Sequence, residues 1–181
     1  MHALRIAVGI TWGVFWLGWL LAAFGAKRSI GGGWGRLGPR GIAAVAVVIV
    51  VRGVGGHSLQ VHSPVVGVVG VAVFAVGLAL AVWARVILGR NWGMPTTERA
   101  EPELITDGPY DVIRHPIYTG ILLGLVGTAL VINLIALAIA VIVGVYFVWA
   151  ATVEERNLRA TFPSAYPAYQ ARTKMLIPFL L

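Results

Sequence analysis

The sequence predicts an all-α integral membrane protein with five transmembrane helices, and two observations support this fold class. Of its 181 residues, 59% are hydrophobic and only 12% are charged, whereas soluble domains are about half apolar and about a quarter charged. The mean hydropathy is +0.86, and several uncharged runs approach the roughly 20 residues that cross a bilayer core. Soluble globular, disordered and fibrous classes are therefore excluded.

Five apolar segments are the candidate spans. They are residues 3–26, 41–51 with flanking residues, 64–88, 117–132 and 134–153. The continuous apolar run 117–153 would be about 55 Å long as one helix, which is too long for a single span. Asn133 interrupts this run, so we predict that the last two helices form a tight hairpin there.

The charge distribution predicts the orientation of the five spans. Twelve of the 14 Lys and Arg residues, together with all seven Asp and Glu residues, fall on one side of the membrane. The positive-inside rule makes that side cytoplasmic and the N-terminus external. The net charge of +7 then fits loops held against an anionic bilayer surface, and we expect no nucleic-acid partner.

Cysteine is absent, which excludes disulfides, thiolate metal sites and a cysteine nucleophile. His57 and His62 lie on the opposite side from the acidic residues, so no metal site is expected. We predict one membrane domain over residues 1–181. Residues 1–63 form the first two spans, and residues 64–181 contain the other three.

The polar residues that could take part in catalysis or binding are concentrated in a loop, 89–116, and in a C-terminal segment, 154–181. The hairpin at Asn133 makes the last two helices antiparallel neighbours, which should bring His115 and Tyr118 close to Glu154. Pro116 favours a helix start, whose free N–H groups attract anions. The sequence thus predicts a pocket at the cytoplasmic membrane surface.

Structural roles are the alternative for the same side chains. Arg114 has the character of a membrane-edge anchor, and Trp92 and Tyr118 that of interfacial belt residues. Glu155 and Arg159 have the i,i+4 spacing of an ordinary helix-surface ion pair.

The order of these motifs resembles the isoprenylcysteine carboxyl methyltransferase family, within the wider membrane phospholipid methyltransferase-like group. The matching strings are RNW at 90–92, LITDGPY at 104–110, RHPIYTG at 114–120 and EERNL at 154–158. The resemblance covers roughly residues 85–178. The first two spans carry no such signature.

The resemblance implies a membrane methyltransferase that uses S-adenosyl-L-methionine and takes a lipid-like acceptor from the bilayer. It implies a cofactor pocket lined by Glu103, Leu104, Ile105, Tyr110, His115, Pro116, Ile117, Tyr118, Glu154 and Glu155. His115 and Arg114 are the candidate catalytic residues, and Arg90 and Trp92 are candidates for contacting the acceptor. His115 is suited to general-base catalysis if the acceptor is a protonated amine.

One position departs from the family pattern and leaves the acceptor open. Eukaryotic carboxyl methyltransferases have an arginine one helical turn before the first glutamate, where this sequence has Ala150. Burying a carboxylate without a cation is costly, so a phospholipid amine is the alternative acceptor. The competing classes are an NADPH-dependent sterol reductase-like protein and a non-catalytic membrane protein.

Overall fold

The computed structural model of the protein describes residues 1–23, 59–92 and 103–177. Within these residues the structure is helical and contains no strand, only two isolated bridges. The helices are α1 (His2–Ala23), α2 (Pro64–Leu88), α3 (Pro116–Val131), α4 (Ala136–Thr161) and α5 (Ala165–Arg172). Single 3-10 turns cover Gly89–Asn91 and Gly108–Asp111.

Three of the described helices, α1, α2 and α4, are long and apolar enough to cross a membrane, and α3 is a shorter apolar helix. The structure confirms the prediction of a helical membrane protein. Four of the five predicted spans correspond to described helices, while the predicted span at 41–51 lies outside the described residues. Helix α4 continues beyond Val153 to Thr161, because the residues that follow are mostly good helix formers.

The turn between α3 and α4 has the predicted position. The side-chain Oδ1 of Asn133 accepts a hydrogen bond of 2.9 Å from the backbone N–H of Ile135. This local bond favours a turn over a continuous helix. The hairpin is therefore confirmed, and it places the start of α3 and the end of α4 at the same end of the bundle.

Helices α2 and α3 pack with their backbones in close contact at facing glycines. A Cβ atom at Gly77 would lie 2.6 Å from the carbonyl oxygen of Gly120. A Cβ at Gly120 would lie 2.5 Å from the carbonyl oxygen of Gly77. Small residues at such crossings permit the close helix association on which membrane bundles depend.

We expect Gly120→Ala to destabilise the bundle by about 1–3 kcal/mol, the usual cost of overpacking a tight contact. Gly13→Ala is the matched control, because a Cβ there meets nothing within 4 Å. Both changes gain the same helix propensity, so their difference isolates the clash. The measurement is the thermal unfolding midpoint in detergent. Equal midpoints for the two variants would contradict this packing.

Helices α1 and α2 run in the same direction. Near the start of both helices, Arg5 Nη2 donates a hydrogen bond of 2.8 Å to the carbonyl oxygen of Val61. Near their ends, Arg85 Nη2 donates a bond of 2.9 Å to the carbonyl oxygen of Ala22. The end of α1 and the start of α2 consequently lie at opposite ends of the bundle.

Candidate active site

The 3-10 turn Gly108–Asp111 fixes the loop that precedes α3. Gly108 has a φ of 61°, a left-handed conformation that suits glycine. Tyr110 is buried, and its hydroxyl donates to the carbonyl oxygen of Ala84 at 3.4 Å. The hydroxyl of Tyr169 donates to the carbonyl oxygen of Tyr110 at 2.7 Å. This turn is thereby attached to both α2 and α5.

The C-terminal segment holds the backbone on either side of the candidate histidine. The N–H of Arg114 donates to the carbonyl oxygen of Lys174 at 2.8 Å, and the N–H of His115 donates to that of Met175 at 3.1 Å. His115 is the residue immediately before α3, and Pro116 is fully buried at its first position. The backbone of His115 is therefore held by a segment about 60 residues later in the chain.

His115, Tyr118 and Glu154 form the centre of the site. The Tyr118 hydroxyl donates to Glu154 Oε1 at 2.7 Å. The other carboxylate oxygen, Oε2, lies 3.4 Å from His115 Nδ1. The His115 and Tyr118 rings stack at 5.4 Å between centroids, and the Tyr118 ring stacks on Phe147 at 4.3 Å. The predicted convergence of His115 and Tyr118 on Glu154 is confirmed.

The adjacent glutamate has a different environment. Glu155 Oε1 accepts a bond of 2.7 Å from Arg114 Nε, and both side chains are almost fully buried. Glu155 Oε2 accepts a bond of 2.8 Å from Gln170 Nε2, and Arg159 lies 3.8 Å away. Glu155 Oε1 also lies 3.4 Å from His115 Nε2. Most of the hydrogen-bonding capacity of Glu155 is thus used within the protein, whereas 28% of the Glu154 side chain is exposed.

The buried His115 side chain favours its charged form. Burial alone would lower its pKa, but the carboxylates of Glu154 and Glu155 on its two ring nitrogens raise the pKa more strongly. The net result is a pKa above the ordinary value of 6.5. An imidazolium between two carboxylates has the complementary charge that this arrangement requires.

This raised pKa predicts a pH dependence of stability. Protonated His115 is favoured in the folded state, so its contribution is fully present below pH 6.5, the unfolded value. That contribution is lost as the pH rises through the higher folded-state pKa. We expect the unfolding midpoint of the wild type to fall more steeply with rising pH than that of His115→Gln. Parallel pH profiles for the two proteins would refute this assignment.

The remaining predicted residues have separate surroundings. Asn91 Nδ2 donates to Glu103 Oε2 at 2.8 Å. The Trp92 ring lies 4.8 Å from the Arg85 guanidinium carbon and 5.9 Å from the Trp19 ring. Arg90 is exposed. Leu104 is half-buried, Ile105 packs against the core, and Ile117 is buried within it.

Three residues of the site were missed by the sequence reasoning. Gln170 donates a hydrogen bond to Glu155, and Asn91 donates one to Glu103. The carbonyl oxygen of Thr173 accepts a hydrogen bond of 2.5 Å from Arg114 Nη1. Asn91 lies between Arg90 and Trp92, the two candidates for contacting the acceptor, so the RNW motif could have indicated it. Gln170 and Thr173 contact their partners across long sequence separations, and no spacing rule signals such contacts.

The chain is similar to known proteins over more than half of its length. The family model described as phospholipid methyltransferase matches residues 65–165. Protein-S-isoprenylcysteine O-methyltransferase B of Arabidopsis thaliana is 31% identical over 115 residues, which are 61% of this chain and 58% of that protein. The nickel-cobalt-cadmium resistance protein NccN of Alcaligenes xylosoxydans xylosoxydans is 30% identical over 115 residues, which are 62% of this chain and 53% of that protein.

The fold has a solved counterpart. The structure of the eukaryotic intramembrane Ras methyltransferase ICMT (isoprenylcysteine carboxyl methyltransferase) without a monobody superposes with a TM-score of 0.60 at 23% identity. The match covers 78% of this chain and 52% of that one. The chain spans little more than half the length of these relatives. The resemblance predicted from the motifs is confirmed, and the chain belongs to the phospholipid methyltransferase family.

Proposed function

We propose that the protein is an integral membrane methyltransferase that uses S-adenosyl-L-methionine and methylates a lipid-like acceptor, as isoprenylcysteine carboxyl methyltransferases do. The observation that carries this proposal is the partly exposed carboxylate of Glu154, held by Tyr118 and His115 at the end of apolar helices. The family assignment and the isoprenylcysteine methyltransferase relative support the same activity over a reductase or a non-catalytic role.

The residues present fit the cofactor. An accessible carboxylate suits the ammonium group of its amino-acid part, and stacked aromatic rings suit a sulfonium cation. The bound cofactor supplies an electrophilic methyl group on sulfur. Glu154 would bind the ammonium group, and the other predicted pocket residues would contact the rest of the molecule.

The protein's own contribution is alignment and exclusion of water. Arg114 is committed to Glu155 and to the carbonyl oxygen of Thr173, so we assign it a positioning role instead of the catalytic role predicted from sequence. His115 is held by backbone bonds and by two carboxylates. A cation bound at Glu154 would favour loss of the His115 proton, which leaves the imidazole able to accept a proton from an amine acceptor.

The side chains around the site bear on which acceptor atom would be methylated. A carboxylate acceptor, as in the isoprenylcysteine relative, requires a cation and no general base. Ala150 is fully buried and supplies none, and Arg114 already pairs with Glu155. These two observations support a phospholipid amine as the second candidate for the methyl acceptor. Arg90, which is exposed, is the remaining candidate for a carboxylate partner.

We also propose five spans with the site on the cytoplasmic side. The parallel directions of α1 and α2 support an additional span, because residues 24–58 connect opposite ends of the bundle. Charge supports the orientation, since five spans would put twelve of the 14 basic residues on the side of the site.

The test is calorimetric titration of detergent-purified protein with S-adenosylmethionine, S-adenosylhomocysteine and NADPH, followed by transfer of a labelled methyl group to membrane lipids. We expect binding of the first two ligands and none of NADPH. A methyl ester product is released by mild base, whereas an N-methyl product is stable, so base treatment separates the two acceptors. Absence of S-adenosylmethionine binding by folded protein would overturn the proposal.

A further inference from the structure

A partly open cavity, mostly apolar but with an arginine in its wall, lies at the end of the bundle opposite the candidate active site. Its volume is about 310 Å³. It is lined by His2, Arg5 and Ile6 of α1, by Gln60 before α2, and by Ile132 and Asn133 at the hairpin. None of these residues belongs to the family motifs, and the proposed methyl transfer does not use them.

Among the residues that the structure describes, Arg5 has no acidic partner. Its Nη2 donates to the carbonyl oxygen of Val61 at 2.8 Å, and its Nη1 donates to Gln60 Oε1 at 3.4 Å. Both acceptors are neutral. The sequence contains no Asp or Glu in residues 1–97 or 117–153, and these ranges include every segment that lines the cavity. An arginine at the membrane edge thus lacks the anion with which guanidinium groups pair most strongly.

An apolar surface continues from this cavity along α1. Ile6, Ile10 and Val14 are spaced four residues apart, so they share one helix face. Their exposed fractions are 49%, 63% and 65%. A cavity with an arginine in its wall, beside such a strip, matches a ligand with an anionic head and a hydrocarbon chain.

We propose that this cavity binds the phosphodiester of a phospholipid from the leaflet opposite the active site. Arg5 supplies the positive charge, the amide of Gln60 and the imidazole of His2 supply further polar groups, and one acyl chain lies along Ile6, Ile10 and Val14. The bound lipid supplies the anion that the protein lacks at this end. It also bridges α1 to the residues before α2 and to the α3–α4 hairpin.

The test uses the 181-residue chain in an uncharged maltoside detergent, with dihexanoyl-phosphatidylglycerol as the probe. The readout is the thermal unfolding midpoint against probe concentration, since a ligand that binds only the folded state raises that midpoint. Arg5→Gln removes the charge, and Ile6→Trp fills the cavity but keeps Arg5. The controls are Arg172→Gln, an exposed arginine at the other end, and Leu21→Trp on exposed α1 surface.

We expect the half-saturating concentration to rise at least tenfold in Arg5→Gln and Ile6→Trp, and to change less than twofold in both controls. Dihexanoylglycerol, which lacks the phosphate, should not raise the midpoint. Equal responses in all four variants would overturn the proposal by showing nonspecific lipid binding. An equal shift with inorganic phosphate alone would overturn the lipid assignment and leave a site for a soluble anion.

Discussion

Glu154→Gln is expected to weaken S-adenosylmethionine binding about 30- to 150-fold, which corresponds to about 2–3 kcal/mol, the lower part of the range for truncating one partner of a charge pair. The lower part applies because 28% of the Glu154 side chain is exposed. The variant keeps the size of the side chain and removes only its charge. Calorimetric titration measures the change directly.

Asp111→Asn is the matched control for this experiment. Asp111 is an exposed carboxylate at the same end of the bundle, paired with exposed Arg172 at 3.8 Å. Its neutralisation changes the surface charge by the same amount without touching the pocket. Unchanged binding in Glu154→Gln, or an equal loss in Asp111→Asn, would show that Glu154 does not hold the cofactor.

Tyr118→Phe separates the carboxylate from the group that orients it. This variant keeps the ring that stacks on Phe147 and removes only the hydroxyl bond to Glu154. A single hydrogen bond contributes about 0.5–1.5 kcal/mol, so we expect binding to weaken about two- to twelvefold. A loss as large as that of Glu154→Gln would instead assign the cofactor contact to the tyrosine.

Much of the bundle could be predicted from the sequence, because membrane spans depend on length and hydrophobicity alone. Helix α2 has the predicted bounds, and Asn133 marks the turn between α3 and α4 as expected. The course of residues 41–51 was the weakest prediction, since glycines and a short apolar run define no clear helix ends. It lies outside the described residues.

Part of the site could be predicted from the sequence, because its position depends on the order of the helices. The hairpin geometry placed His115 and Tyr118 beside Glu154 because antiparallel neighbours bring the start of one helix to the end of the next. The different environments of Glu154 and Glu155 could not be predicted. They depend on Gln170 and Thr173, which lie in a C-terminal segment that pairs with the backbone around Arg114.

Glu155→Ala is expected to lower the free energy of unfolding by about 3–5 kcal/mol, because it leaves the buried guanidinium of Arg114 without its partner. The Arg114 and Glu155 side chains are only 9% and 3% exposed, so water cannot replace the lost carboxylate. Unfolding by dodecyl sulfate, followed through tryptophan fluorescence, gives the measurement. Asp111→Asn again serves as control, since an exposed ion pair contributes little.

The double variant Arg114→Met/Glu155→Leu shows whether the loss comes from an unpaired charge or from disrupted packing. If the charge dominates, the double variant should be more stable than Glu155→Ala, because neither ion remains buried. Part of the loss should remain, since the carbonyl oxygen of Thr173 also loses the bond from Arg114. A double variant as unstable as Glu155→Ala would contradict the charge explanation. The binding and stability measurements together test whether the two glutamates have different roles. Glu154 should determine cofactor affinity, and Glu155 should determine the stability of the fold around Glu154.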